Sequence, residues 1–199
     1  LNISWKLALV YKGLAPSTLL STYEIERRPV VTLMLATTSN LYQHMWRNLA
    51  LRQYGINYRW SPLVQDAGPP LGLSEDELKA RAYEGYPDGE TTLFKTFKPY
   101  YHTLLVFAPE GADVAGVVKA AQTYPEGLVR TLILGRNGVP PAVAGADVYH
   151  DKEGHAHKGY HVAGDRLVLV VVRPDGYVGG FVYDVEGLQT YFSRVFGSS

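Results

Sequence analysis

Leu167 to Val172 form an unbroken apolar run of six residues. A run that short and that apolar predicts a strand covered on both faces. The next four residues, Arg173-Pro174-Asp175-Gly176, predict a turn: proline presets φ, aspartate bonds its own backbone, and glycine tolerates positive φ. Tyr177 to Val182 supplies the return strand of a β-hairpin. Two more strands are expected upstream, His102 to Phe107 and Leu128 to Leu134. Between them Asp113 to Tyr124 predicts a helix, with Val114, Val117, Val118 and Ala121 on one side. Asp184 is placed to cap a last helix that carries Leu188, Tyr191, Phe192, Val195 and Phe196 at helical spacing.

The first part of the chain has the helical period instead. Residues 2–12 predict a helix with Trp5 and Leu9 on one stripe and Gly13 at its C-terminal end. Pro16 opens a second helix over Ser17 to Arg28, in which Glu24 can pair with Arg27 or Arg28. Pro29 is expected to kink or interrupt it, and a third helix then runs from Val30 to about Leu51. Val30, Met34, Leu41, Met45 and Leu49 line one stripe, and Val31, Leu35, Tyr42 and Trp46 a neighbouring one, a broad apolar face that wants a partner. Residues 52–92 are less regular. Ile56 to Trp60 alternates like a short strand, Ser74 to Glu77 reads as a capping box, and Tyr86-Pro87-Asp88-Gly89 as a turn. A boundary is expected between about Arg52 and Asp88. The order β-α-β, β-hairpin, α is that of a thioredoxin-type α/β fold: a central mixed sheet flanked by helices, here without a CxxC motif.

Composition narrows the function. The 199 residues suit one large domain or a ~150-residue domain with an attached subdomain. Basic and acidic residues number 19 each, so no net field draws the chain to nucleic acid or to an anionic membrane. No 18-residue apolar run and no signal-peptide pattern is present. The chain has no cysteine, which excludes disulfides, thiolate nucleophiles and cysteine zinc sites, and fits a reducing compartment, so a cytoplasmic location is expected. The first residue is Leu1, as expected of a processed product or a fragment. The 15 tyrosines hint at partner surface.

Several anchors resemble one family in the correct order. Trp5-Lys6-Leu7-Ala8 with Gly13-Leu14-Ala15 is similar to the WKLA helix of FAD-dependent aromatic hydroxylases of the phenol hydroxylase type. Leu19-Leu20, Thr22-Tyr23-Glu24 and Glu26-Arg27-Arg28-Pro29 resemble the family's LLxTYExERxP helix. Tyr86-Pro87-Asp88 sits where these enzymes carry an RAPD element. Asp151, Gly154, Ala156 and Tyr160 resemble the segment before the last hairpin, and Val172 to Val178 the hairpin itself. The resemblance implies a C-terminal, thioredoxin-like region without redox cysteines that helps build a dimer, preceded by a helical segment from a flavin-binding domain. It also implies FAD in the full-length family. The family's Gly-rich nucleotide loop has no counterpart here: Gly179-Gly180 and Gly135/Gly138 lack GxGxxG spacing between a strand and a helix. With no helix N-terminus to hold the pyrophosphate, FAD is not expected to bind this chain alone, and without a flavin to carry oxygen no hydroxylation is expected of it.

Other chemistry is weakly signalled. His150, Asp151, Glu153, His155, His157 and His161 lie within twelve residues and could ligate zinc or copper, against a plain reading as a solvated loop. His155 and His157 would share a face only in a strand, His157 and His161 only in a helix. No GxSxG elbow exists. Glu75, Asp76 and Glu77 suit a helix's first turn better than acid–base work. Arg173 could bind an anion, but a strand-end arginine more readily pairs with carbonyls or a carboxylate, so Arg173, Pro174, Asp175 and Gly176 are read as a structural turn. The expected organisation is a helical segment over 1–51, a linker over 52–87 and a thioredoxin-like unit over 88–199. The expected function is that of a non-catalytic C-terminal portion or remnant of a phenol-hydroxylase-type monooxygenase, with no catalytic residue of its own, forming a homodimer or joining an upstream flavin domain. A free-standing binding protein and a metal protein using the histidine cluster are the alternatives.

Overall fold

The computed structural model describes residues 1–44, 58, 60–67, 74, 93, 96–136 and 140–197. The expected capping-box helix after Ser74, the Glu75-Asp76-Glu77 triplet, the Tyr86 to Gly89 turn and the helix continuation past His44 lie outside them, as does the 52–88 boundary region in large part.

Helix α1 (Asn2–Tyr11) buries Trp5 and Leu9, and its end is closed by Gly13 and Leu14, whose N–H groups donate to Val10 and Leu9. Helix α2 (Thr18–His44) differs from the two helices expected there: it runs unbroken through Pro29. Proline has no N–H to give the carbonyl four residues back, which here belongs to Ile25. The Trp60 indole donates to that carbonyl at 2.9 Å, so the freed acceptor stays bonded and the helix continues. Trp60 and Tyr58, expected in a short strand, lie in irregular backbone instead.

Among the described residues one six-stranded sheet follows, whose strands in spatial order are 65–66, 178–182, 168–172, 102–107, 129–135 and 146–150. Its strands are β1 (Gln65–Asp66), β2 (His102–Phe107), β3 (Val129–Gly135), β4 (Ala146–His150), β5 (Val168–Val172) and β6 (Val178–Val182). The β2–β3, β3–β4 and β1–β6 pairs are parallel, and β5 is antiparallel to both β2 and β6. Helix α3 (Val114–Ala121) connects β2 to β3, α4 (His155–Gly159) lies between β4 and β5, and α5 (Val185–Phe196) follows β6. The mixed sheet with flanking helices is the expected α/β architecture. β1, β4 and α4 were not anticipated. β1 has two residues, too few to show a period, and β4 is a partly exposed edge strand without a continuous apolar run.

The apolar run of β5 is explained by two cores, one on each face of the sheet. Leu169 and Val171 join Leu104, Val106, Ile133, Trp5, Leu19 and the α3 and α5 side chains. Val168, Val170 and Val172 join Leu105, Phe107, Leu132, Leu134 and Phe181. Asp113 and Asp184 cap α3 and α5 by accepting from the N–H groups of Gly116 and Gly187.

Candidate functional site

The hairpin turn is built by bonds between Gly176 N–H and the Arg173 carbonyl at 2.9 Å, and between Arg173 N–H and the Tyr177 carbonyl at 2.8 Å. Gly176 takes φ of 88°, which an L side chain would resist. Beyond the turn the register shifts between Val171 and Val172, leaving Gly179 as an extra residue in β6. A Cβ there would meet Tyr191 Oη at 2.5 Å and Arg173 Cγ at 2.8 Å. The bare backbone is what lets Arg173 and Tyr191 pack under the hairpin.

Arg173 is 1% exposed. Its guanidinium donates from Nη1 and Nη2 to the two oxygens of Glu26 at 2.8 and 2.9 Å, across 147 residues of sequence. It also donates from Nε and Nη2 to Asp175 at 3.1 and 2.7 Å. Such fork-to-carboxylate pairs combine charge with fixed geometry. The rings of Trp5 and Tyr58 lie 5.3 and 5.2 Å from the guanidinium carbon. Glu26, fully enclosed, also accepts from Asn2 Nδ2 at 2.7 Å, Lys6 Nζ at 2.8 Å and Ser61 Oγ at 2.7 Å. Lys6 Nζ donates to Thr22 Oγ1 at 2.7 Å, and Trp5 Nε1 donates to Asp175 at 3.2 Å. Two cations and two carboxylates thus neutralise one another in a closed network.

Electrostatics follow from that enclosure. Burial opposes ionisation of Glu26, but the Arg173 charge and its hydrogen bonds, with help from Lys6, outweigh it and hold the carboxyl down at about 2. Burial lowers the Lys6 ammonium, with Glu26 opposing. Burial would lower Arg173 as well, yet Asp175 and Glu26 raise it well above its ordinary value. Beside the network, burial and then the Arg173 charge push the His102 imidazole down to about 3. His102 is a neutral core ring with Trp5, Phe192, Tyr191 and Phe196 at centroid distances of 5.2, 5.6, 5.9 and 5.9 Å. Asn2 Oδ1, His102 Nε2 and Tyr191 Oη are buried with no hydrogen-bond partner among the described residues.

The histidine cluster is dispersed. Asp151 accepts from the N–H groups of Ala156 and His157 at 3.2 and 2.9 Å, and its Oδ2 lies 2.7 Å from His157 Nδ1, so the pair closes the start of α4. Burial would raise the Asp151 carboxyl, but its bonds to His157 and Ala156 lower it. His157 is 3% exposed and packs against Phe107. His155 is exposed beside Glu153 at 3.5 Å, and His150 is exposed on β4. His161 lies past the end of α4 at φ 54°. Among the described residues no three metal-ligating side chains converge. Glu24 and Arg28 do meet, at 3.8 Å and nearly fully exposed, a pair worth little.

Arg173 and Asp175 stand out in the sequence, whereas Asn2, Lys6, Thr22 and Glu26 do not, because polar residues on a helix are assigned to solvent, and Ser61 lies in irregular backbone that carries no pattern. The available signal was spacing. Asn2 and Lys6 stand four apart, as do Thr22 and Glu26, so each pair shares a helix face.

No described segment offers a nucleotide's diphosphate a built cradle. The β2–α3 junction ends in Asp113, whose carboxylate takes the Gly116 N–H at 3.0 Å and would repel an anion. The described β2–α3 junction does not fit FAD's diphosphate.

Fold and network together define an α/β protein whose terminal hairpin is locked to a pair of N-terminal helices. Residues 140–199 match the family described as phenol hydroxylase, C-terminal dimerisation domain, and residues 1–38 match the FAD binding domain family. A flavin-dependent monooxygenase of Mycobacteroides abscessus is 29% identical over 98% of this chain and 34% of its own length. The pentachlorophenol 4-monooxygenase of Sphingobium chlorophenolicum is 26% identical over 89% of this chain and 36% of its own length. The crystal structure of the flavin-dependent monooxygenase PieE in complex with FAD and substrate superposes with a TM-score of 0.61 at 20% identity, over 98% of this chain and 42% of that one, a likeness of fold. The two matched segments follow in this order along the chain, so the chain is similar to proteins of the phenol hydroxylase type at both of its ends. The chain spans about a third of the length of these two curated relatives.

Proposed function

We propose that this chain is the C-terminal portion of a flavin monooxygenase of that type, and that it serves as an association module and not as a seat of chemistry. One observation carries the reading. The Glu26–Arg173 pair ties the helices matched to a FAD binding domain to the hairpin matched to a dimerisation domain. The charges on both sides are consumed in holding each other, so the network positions elements and leaves no group to react. Flavin binding and substrate hydroxylation fall to polypeptide beyond these residues. Residues 1–51 are the flavin-side portion, 52–87 the connection and 88–199 the associating unit. Apolar side chains left exposed on α1 and α2, among them Leu7, Ile25 and Leu35 at 54, 43 and 57%, suit packing against the remainder of such a flavin-binding unit.

Gel filtration of the chain with added FAD, followed at the flavin's visible absorbance, tests the assignment. The flavin is expected to elute apart from the protein. Stoichiometric co-elution would overturn it.

A further inference from the structure

We infer that two copies of this chain associate edge to edge through β4, making one continuous sheet across the dimer. The inference rests on the association role proposed above and adds the surface. Within the segment matched to the dimerisation domain, β5 and β6 are paired on both sides, while among the described residues β4 is paired only with β3. The other end of the sheet is β1, outside that segment. Asp151 N–H donates to the Gly135 carbonyl at 2.9 Å, and His150 is in register with Gly135. In a parallel ladder the N–H and C=O of a residue point to the same side, and the side alternates along the strand. Asp147 and Tyr149 therefore face β3, and Val148 and His150 turn their backbone groups outward.

That outward edge is self-complementary. A twofold axis at Val148 sets Val148 opposite its own copy and His150 opposite Ala146, an antiparallel pairing in which both Val148 residues exchange N–H···O=C bonds. The Ala146 N–H already donates to the Val143 carbonyl at 3.2 Å, so the exchange centres on Val148. Asp147 is the one acidic residue of β4, and Arg130 neutralises it at 2.8 Å. The strand holds neither lysine nor proline, the usual guards of an exposed edge. Tyr149, at 38%, is the one large apolar side chain exposed among the described residues of 140–199, and it sits on this strand.

Sedimentation velocity over a concentration series, together with amide hydrogen exchange of the unmodified chain, tests the edge. A dimer is expected, with the Val148 and His150 amides protected about tenfold more at concentrations where it forms than on dilution. Val148→Pro removes an outward N–H from each copy without touching the β3 ladder. It is expected to raise the dimer dissociation constant roughly thirtyfold, the worth of two backbone hydrogen bonds. Tyr149→Lys, an exposed change, is expected to weaken the dimer in the same direction. A dimer that forms with both amides exchanging freely would overturn the β4 edge and leave the association role standing. A chain that stays monomeric throughout would overturn both.

Discussion

At the residue scale, Arg173 and Glu26 each hold a charge that water cannot reach. Removing one partner strands the other, a loss of about 3–5 kcal/mol, whereas apolar replacement of a whole buried ion cluster is often neutral. Arg173→Met and Glu26→Gln are each expected to lower stability by that order in urea unfolding, and the double variant by less than their sum. Acid should act on the same place from two directions. His102 stays neutral in the fold down to about 3 but titrates near 6.5 when exposed. The unfolded chain thus binds the extra proton between those values, and stability falls as pH drops below 6.5. Glu26 is held at about 2 against an ordinary 4.5, so its contribution, complete above 4.5, is lost as pH falls from there towards 2. Each group adds a slope of at most about 1.4 kcal/mol per pH unit. Guanidinium melts from pH 7 to 4 should show the upper limb, and His102→Phe, which keeps the ring packing, should flatten it between 6.5 and 4.5.

At the scale of elements, the bulge in β6 is the decisive detail. Gly179→Ala drives a methyl into Tyr191 Oη and Arg173, and overpacking of that kind costs about 1–3 kcal/mol, readable as a lowered melting temperature. A matched Gly180→Ala, whose nearest contact would be Val171 Cγ2 at 3.2 Å, should cost less. The hairpin, the β2–α3–β3 unit and α5 were legible beforehand because period and turn chemistry agree with burial there. β4 was not, since an edge strand needs no apolar run. Pro29 pointed to a kink or a break, and the helix survives because Trp60, from a distant segment, supplies the missing donor. The network itself was half visible. A turn arginine invites a carboxylate, but which carboxylate, 147 residues away, is decided by tertiary packing that no local pattern carries.

At the scale of the whole molecule, the four mutually neutralising charges make the N-terminal helices and the terminal hairpin a single cooperative unit. Hydrogen exchange should therefore register Arg173→Met in α1 amides as strongly as in β5 and β6, although no residue of α1 lies within 160 positions of the substitution. If only the hairpin amides quicken, the two ends are energetically independent. The bond from Trp5 to Asp175 extends the same dependence to the turn. For anyone recombining relatives of this chain, the consequence is a rule about crossover points. A chimera spliced anywhere between α2 and β5 inherits Lys6 and Glu26 from one parent and Arg173 and Asp175 from the other. It will fold only where the donors happen to carry matching halves of the lock.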